Sequence, residues 1–384
     1  MPAWSHSLLE SERRQYQVRA PVGKGAFGTV YEARLLGEGG FSKKVALKVL
    51  HLSHGDAEEV AQRQRDEARI LGLIRHRAVV HVDGLVKLNG RWTVVMEFID
   101  GLDLNKILRG NGKLPPTVAL GIISEVASAL HVAYHTDGPD GRPLHLLHRD
   151  IKPGNITVTT AGEVKVLDFG VARADFDLRE AETRSVRFGS MGYMSPERLE
   201  GEDLAGGDIY SLGVLLWEFL CGTRFGQTQL SRQRQEQQVE KQLQVVTKHV
   251  GAPSEGITDL LRDMLKFMPE DRPNGREVER RCGELLREVQ GPLLRDWAER
   301  EIPRLRHGVK PVPDDEGMGG KILVEGNTEW PEAAPAMAPG PDGGAGTSPV
   351  VYLAIALLFV VVLLFVFGMI LMAGVLGILL GGMI

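Results

Sequence analysis

The chain has 384 residues, 43% of them hydrophobic and 25% charged, so it reads as a globular protein with room for one large domain and additional segments. Its net charge of -5 is unevenly placed, because the residues from Pro311 onward hold seven acidic side chains and a single Lys, and no basic tract implies a nucleic-acid partner. Only Cys221 and Cys282 occur, without metal-ligand spacing, which points to a reducing compartment and no structural zinc.

The leader, residues 1–15, is polar, carries Glu10, Glu12, Arg13 and Arg14, and has no apolar core of signal-peptide length, so it is expected to stay in the cytosol. From Tyr16 to Leu50, β-formers cluster around Gly23, Gly25 and Gly28. This predicts two strands joined by a glycine turn, a loop at Gly37–Ser42 and a strand at Val45–Leu50. Ala57–Arg75 has helical spacing, with Val60, Ile70, Leu71 and Ile74 on one side. Val79–Leu88 and Trp92–Ile99 flank Asn89-Gly90, a strong hairpin signal. Val118–Tyr134 is apolar at helical spacing and should be buried on most of its circumference. A Gly/Asp/Pro loop then leads to a short strand at Leu146-Leu147.

Ile156–Val158 and Val164–Leu167 predict another hairpin around Ala161-Gly162. Ala172–Met194 is long and polar for a loop, which favours a switchable segment. Ile209–Leu220 predicts an apolar helix at the hub of a helical lobe. Arg232–Gln244, rich in Gln, Arg and Glu, is expected to be exposed or mobile. Ile257–Phe267 and Gly275–Val289 predict amphipathic helices. In Pro331–Pro349, fourteen of nineteen residues are Pro, Gly or Ala, a composition that makes a tether rather than a core. Val350–Ile384 carries no charge over thirty-five residues, more than the roughly 20 needed to cross a bilayer.

The chemistry concentrates in His148-Arg149-Asp150-Ile151-Lys152-Pro153-Gly154-Asn155 and Asp168-Phe169-Gly170. Together they offer an acid able to orient an alcohol, a cation and two oxygen ligands for a divalent metal. Such a set suits phosphoryl transfer from a metal nucleotide to a hydroxyl. With Gly23-Lys24-Gly25-Ala26-Phe27-Gly28-Thr29-Val30 and Val45-Ala46-Leu47-Lys48, these motifs resemble the eukaryotic-type protein kinases, Ser/Thr class, over Tyr16–Val289, most similarly the bacterial members. No Lys-Ser/Thr follows the glycines, so a phosphate-loop NTPase is not supported.

The resemblance implies an α+β, bilobal protein-kinase fold, ATP and Mg2+ as cofactors, and a role for each matching residue. Gly23, Lys24, Gly25, Ala26, Phe27 and Gly28 would cover the phosphates, and Lys48 would hold the α- and β-phosphates. Glu67 would pair with Lys48, with Glu58 and Glu59 as rivals. Backbone groups of Glu97 and Ile99 would read adenine, and Asp103 would contact the ribose. Val30 and Ala46 would pack on the adenine from above and Thr157 from below, where the family more often has Leu. Asp150 would orient the acceptor hydroxyl and take its proton, while Lys152 would neutralise the γ-phosphate and mark a Ser/Thr acceptor. Asn155 and Asp168 would bind the magnesium ions.

Arg149 beside Asp150 implies control by an activation-segment phosphate, with Thr183 and Ser185 as acceptors. Ser190 stands where the family usually has Thr. Glu197 would form a buried ion pair with Arg272, and Asp208 would tie the catalytic loop to the following helix.

The expected organisation is a leader at 1–15, a kinase domain at 16–290 with lobes at 16–100 and 101–290, an extension and linker at 291–349 and a transmembrane helix at 350–380. Expected partners are protein substrates and a membrane, with the kinase domain on the cytoplasmic side, of a bacterial inner membrane in particular. Self-association could run through the kinase domain or through the small-residue ridge Ala373, Gly377 and Gly381. The competing readings are a membrane-tethered pseudokinase scaffold and a small-molecule kinase.

Overall fold

The structure is a computed structural model and describes residues 14–25, 28–51, 70–139, 141–169, 191–250 and 255–326. Its first part is an antiparallel sheet. Strands β1 (Gln15–Gly25), β2 (Gly28–Leu36) and β3 (Ser42–Leu50) follow in sequence, and β4 (Val82–Leu88) and β5 (Arg91–Glu97) complete the hairpin around Asn89-Gly90. Asn89 and Gly90 both take positive φ, 48° and 81°, as a tight two-residue hairpin turn requires. Residues 52–69, which hold most of the helix predicted at Ala57–Arg75, lie outside the described residues.

The second part is mostly helical. Leu104–Asn111 (α1) starts on the Asp103 side chain, which accepts from the Lys106 amide at 3.0 Å and caps the helix. Pro116–His135 (α2) and Ala205–Cys221 (α4) form its centre, and all residues of α4 from Gly207 to Cys221 are buried. Pro116–His135 is long and apolar enough to cross a membrane, but eleven of its residues are buried in this core. A three-stranded sheet of β6 (Gly101–Asp103), β7 (Ile156–Thr159) and β8 (Val164–Val166) borders it. A short helix α3 (Pro196–Leu199) precedes α4, and Glu255–Met264 (α6) and Gly275–Glu288 (α7) pack around the centre as expected. The small antiparallel sheet and the helical lobe agree with the bilobal α+β fold implied by the motifs.

Two local expectations need correction. Leu146-Leu147 is not a strand: the next amide, of His148, donates to the Asp208 carboxylate at 2.6 Å rather than to a neighbouring strand. Arg232–Gln244 is not wholly exposed: it is part of a 19-residue helix, Arg232–Val250 (α5), which buries Gln235, Val239, Leu243 and Val246 on one face. Its first buried position is polar, and Gln235 is satisfied by donating to Tyr210 Oη at 2.7 Å and accepting from the Gln229 amide at 2.8 Å. The extension after residue 290 has structure of its own up to Gly326. It forms a helix, Leu294–Arg306 (α8), and then a strand, β9 (Ile322–Val324), which adds to the free side of β1 with Tyr16 opposite Leu323. Met318 and Leu323 are buried with Tyr16, Val18, Tyr31, Ala33, Val45, Leu47 and Val49 in a separate apolar cluster.

Candidate active site

The glycine hairpin sets the roof of the site. Gly23 lies opposite Val30, Lys24 opposite Thr29 and Gly25 opposite Gly28, while Val30 lies opposite Lys48 on β3 and Ala46 opposite Met96 on β5. The glycines serve two different needs. A Cβ on Gly28 would come within 2.3 Å of the Val49 carbonyl oxygen, so that position is glycine for packing. At Gly23 and Gly25 an added Cβ would meet nothing nearer than 4.0 and 3.9 Å, so packing does not demand glycine there, and the missing side chains leave room beside the hairpin. Ala26 and Phe27 lie outside the described residues. Lys24 is ion-paired with Asp315 at 2.6 Å.

Beneath the roof, Lys48 Nζ meets Asp168 Oδ1 at 2.6 Å. Desolvation pushes the Asp168 carboxyl up, but the Lys48 ammonium outweighs it and holds the group below the ordinary carboxylate value. Glu67, Glu58 and Glu59 lie outside the described residues. In the loop, Lys152 Nζ lies 2.7 Å from Asp150 Oδ2, and Asn155 Nδ2 donates to the same oxygen at 2.8 Å and to the Asp150 carbonyl at 2.9 Å. Asn155 is thereby oriented, and its amide oxygen is left as the hard donor it can offer a cation.

His148, given no role of its own by the sequence, organises this loop. It is fully buried and lies against the Phe169 ring, 4.6 Å between centroids. Burial pushes its pKa below the ordinary value against the pull of Asp208 and Asp150, so the ring is neutral. Nε2 sits 2.9 Å from the Leu167 carbonyl and Nδ1 3.2 Å from the Asp150 amide. Those partners assign the proton to Nε2 and leave Nδ1 as acceptor. One ring thus joins the residue before Asp168 to the backbone of Asp150.

Asp208, as expected, anchors the loop by accepting from the His148 and Arg149 amides at 2.6 and 2.9 Å. Arg149 and Asp168 both hold left-handed backbone, φ 66° and 51°. Each such residue costs about 1–3 kcal/mol and persists only where its surroundings force it. The Arg149 guanidinium Nε lies 2.9 Å from Asp203 Oδ2, an ion pair outside aligned hydrogen-bond geometry. Arg198, not singled out in the sequence, bonds Asp203 at 2.9 Å and Asp208 at 3.3 Å, so one carboxylate joins two arginines. Thr183, Ser185 and Ser190 lie outside the described residues.

At the expected adenine side, the Glu97 amide donates to the His81 carbonyl at 2.9 Å and the Ile99 carbonyl accepts from Gly101 at 3.0 Å. Both groups are therefore spent on the fold, which narrows the candidates for reading a base to the Glu97 carbonyl and the Ile99 amide. The Glu97 side chain is held by Lys165 at 2.7 Å. Asp103 pairs with Lys106 at 2.8 Å and faces Thr157 across the β6–β7 ladder, and Thr157 is buried. Further down, Glu197 and Arg272 form the expected buried pair through two hydrogen bonds of 2.7 and 2.9 Å. Burial raises the Glu197 carboxyl, but the guanidinium more than offsets this and holds it low.

The sequence profile of the protein kinase domain matches residues 16–281. The chain is similar to the tyrosine-protein kinase MasK of Myxococcus xanthus (strain DK1622), with 34% identity over 216 residues, 54% of this chain and 33% of MasK. It is also similar to the serine/threonine-protein kinase PknA of Mycobacterium tuberculosis, with 34% identity over 216 residues, 55% of this chain and 47% of PknA. The matched part thus spans between about a third and a half of these relatives. Among solved structures, the Mycobacterium tuberculosis PknI kinase domain superposes with a TM-score of 0.50 at 24% identity, covering 70% of this chain and 95% of that one, a likeness of fold.

Proposed function

Because the chain belongs to the protein kinase family, we propose that it is an ATP-dependent Ser/Thr protein kinase, held at a membrane by residues 350–380, with its kinase domain in the cytoplasm. The observation that carries the activity is the convergence of Lys48 with Asp168, and of Asp150 with Lys152 and Asn155, each pair within 2.6–2.8 Å. Asp150 orients the acceptor hydroxyl and takes its proton, and Lys152 beside it faces the transferred phosphoryl group. Asn155 and Asp168 supply hard oxygen donors of the kind magnesium prefers, and the ion would neutralise phosphate charge as it develops. Lys48 holds the α- and β-phosphates, with Glu67 as its proposed second partner. The glycine hairpin covers the phosphates, Val30, Ala46 and Thr157 bracket the base, and Asp103 meets the ribose.

Arg149 suits a phosphate on Thr183 or Ser185, because a guanidinium binds phosphate through two hydrogen bonds, and Asp203 occupies that charge in the present arrangement. Ser190 would support Asp150 and Lys152. The membrane assignment rests on the uncharged run Val350–Ile384, and the bacterial inner membrane on the bacterial relatives.

Incubating the purified full chain in detergent with ATP and magnesium, beside an Asp168→Ala control, tests the reading. Phosphoserine or phosphothreonine on the chain or on a generic basic protein is expected. Transfer only to tyrosine would favour the activity in MasK's name, and binding of ATP without transfer would favour the pseudokinase scaffold.

A further inference from the structure

Residues Asp314, Asp315 and Glu316 lie beyond the part matched by the protein kinase profile, yet each reaches the sheet that carries the glycine hairpin. Asp314 accepts from Tyr31 Oη at 3.2 Å and from the Met318 and Gly319 amides at 3.2 and 2.7 Å, which fixes the turn itself. Asp315 Oδ2 is 2.6 Å from Nζ of Lys24, within the hairpin. Glu316 lies between His51 and Arg91: Oε1 meets His51 Nε2 at 2.7 Å, and Oε2 meets the Arg91 guanidinium. His51 in turn is 3.0 Å from Oγ1 of Thr29, the residue after Gly28. The two ends of the hairpin, Lys24 and Thr29, are therefore both referred to one acidic turn.

That turn is not a loose surface contact. Met318, two residues on, is buried, and the backbone continues with Gly320 donating to the Val18 carbonyl at 3.0 Å and Val18 to the Lys321 carbonyl at 2.9 Å. The glycine hairpin is conformationally permissive, since Gly23 and Gly25 carry no side chain and a Cβ added at either would meet nothing nearer than 3.9 Å. Something outside the hairpin must restrict it if it is to meet a nucleotide in one geometry. We propose that Asp315 and Glu316 are positioning residues that preset the glycine hairpin for the nucleotide, so that this turn sets the KM for ATP. Restricting a loop before binding lowers the ordering cost of binding and leaves the chemical step alone.

This inference rests on the ATP-binding reading above, and the test separates the two. The full chain is compared with an Asp315→Asn/Glu316→Gln variant, which keeps shape and removes both charges. Expected are a KM for ATP raised about three- to tenfold, as loss of one surface pair and one shielded pair converts, a kcat within twofold and an unchanged KM for the protein acceptor. Hydrogen exchange of the backbone amides of residues 22–30 should also quicken in the variant, a readout that needs no catalysis. The single variant Glu316→Asp, which keeps the charge, should recover most of the wild-type KM. An unchanged KM and unchanged exchange would overturn the proposal while leaving the kinase reading intact. An equal fall in kcat at saturating ATP would also overturn it, by showing a general structural role. If the wild-type chain neither binds nor uses ATP, the kinase reading itself fails, and both proposals fall with it.

Discussion

Lys48 and Asp168 stand 2.6 Å apart although 120 residues separate them, and the Lys48 ammonium holds the Asp168 carboxyl below its ordinary value. Removing Lys48 leaves the Asp168 carboxylate without the ammonium that holds it ionised. We expect Lys48→Ala and Asp150→Ala each to lower kcat/KM by at least about 10²-fold, the usual scale for one positioned acid–base or charged group. Neither should change the melting temperature by more than a few degrees. Steady-state rates beside a thermal melt check this, and a normal rate in either variant would remove its assigned role.

The Glu197–Arg272 pair belongs to stability. Arg272 also donates to the carbonyls of Lys266, Gly206 and Phe267, so its loss strips several acceptors at once. Arg272→Ala should cost about 3–5 kcal/mol, the scale for leaving one buried charge alone. Because the Glu197 carboxyl is held below its ordinary value, its contribution is complete above the ordinary Glu range and lost as pH falls through the lowered value. Denaturant titration at neutral pH measures the cost, and a loss under 1 kcal/mol would contradict it.

Glu218 has the opposite sign. Burial pushes its carboxyl up to about 7, against the Phe225 amide, and Arg224 beside it is mostly exposed and offsets little. The folded chain therefore holds this proton more tightly than the unfolded one. Its stabilisation is complete below about pH 4.5 and lost as pH rises through about 7. Glu218→Gln should remove that slope and stabilise the protein at pH 8 by up to roughly 3 kcal/mol. Melting curves from pH 5 to 8 decide it, since a variant less stable at pH 8 would mean the carboxylate is usefully charged there.

The residues after 290 contribute to the core of the small lobe. Leu323 is 2% exposed among Tyr16, Tyr31 and their neighbours. Leu323→Ala should cost about 2–5 kcal/mol, as for other large buried truncations. Ending the chain at Val289 should cost more, because Met318 leaves as well. Chemical denaturation of both variants would show it, and wild-type stability in the shorter chain would refute it.

Deleting Val350–Ile384 should move the protein to the soluble fraction with most of its activity kept. Membrane flotation of both forms is the measurement. Continued flotation of the shortened form would reveal another attachment.

Much of this was legible from residues alone where local chemistry decides the outcome. Asn89-Gly90 announces its turn because few residues tolerate positive φ, and the Asp150–Asn155 run announces its chemistry because phosphoryl transfer needs those groups. What stayed hidden depends on partners distant in sequence. Leu146-Leu147 has strand composition but no strand to pair with, and Gln235 looks like a solvated position until Tyr210 meets it. Asp314, Asp315 and Glu316 read as part of an acidic tail, since nothing local says that Tyr31, Lys24 and Arg91 will be opposite. His148 sat within the recognised motif, but its part as a neutral bridge follows only from burial.

The last described residues touch both margins of the sheet. β9 pairs with β1 on one side, and on the other Leu88 of β4 bridges to Glu325, Asn89 donates to the Val324 carbonyl at 3.2 Å and Gly326 to the Lys87 carbonyl at 2.9 Å. The five strands thus become a sheet of six whose last strand also reaches back to the end of β4, with Met318 and Leu323 buried beneath it. An uncovered strand edge invites pairing with another chain, and β9 covers that of β1. Domain boundaries drawn at residue 281 would therefore uncover the outer edge of β1, leaving a fragment prone to associate with itself through backbone hydrogen bonds.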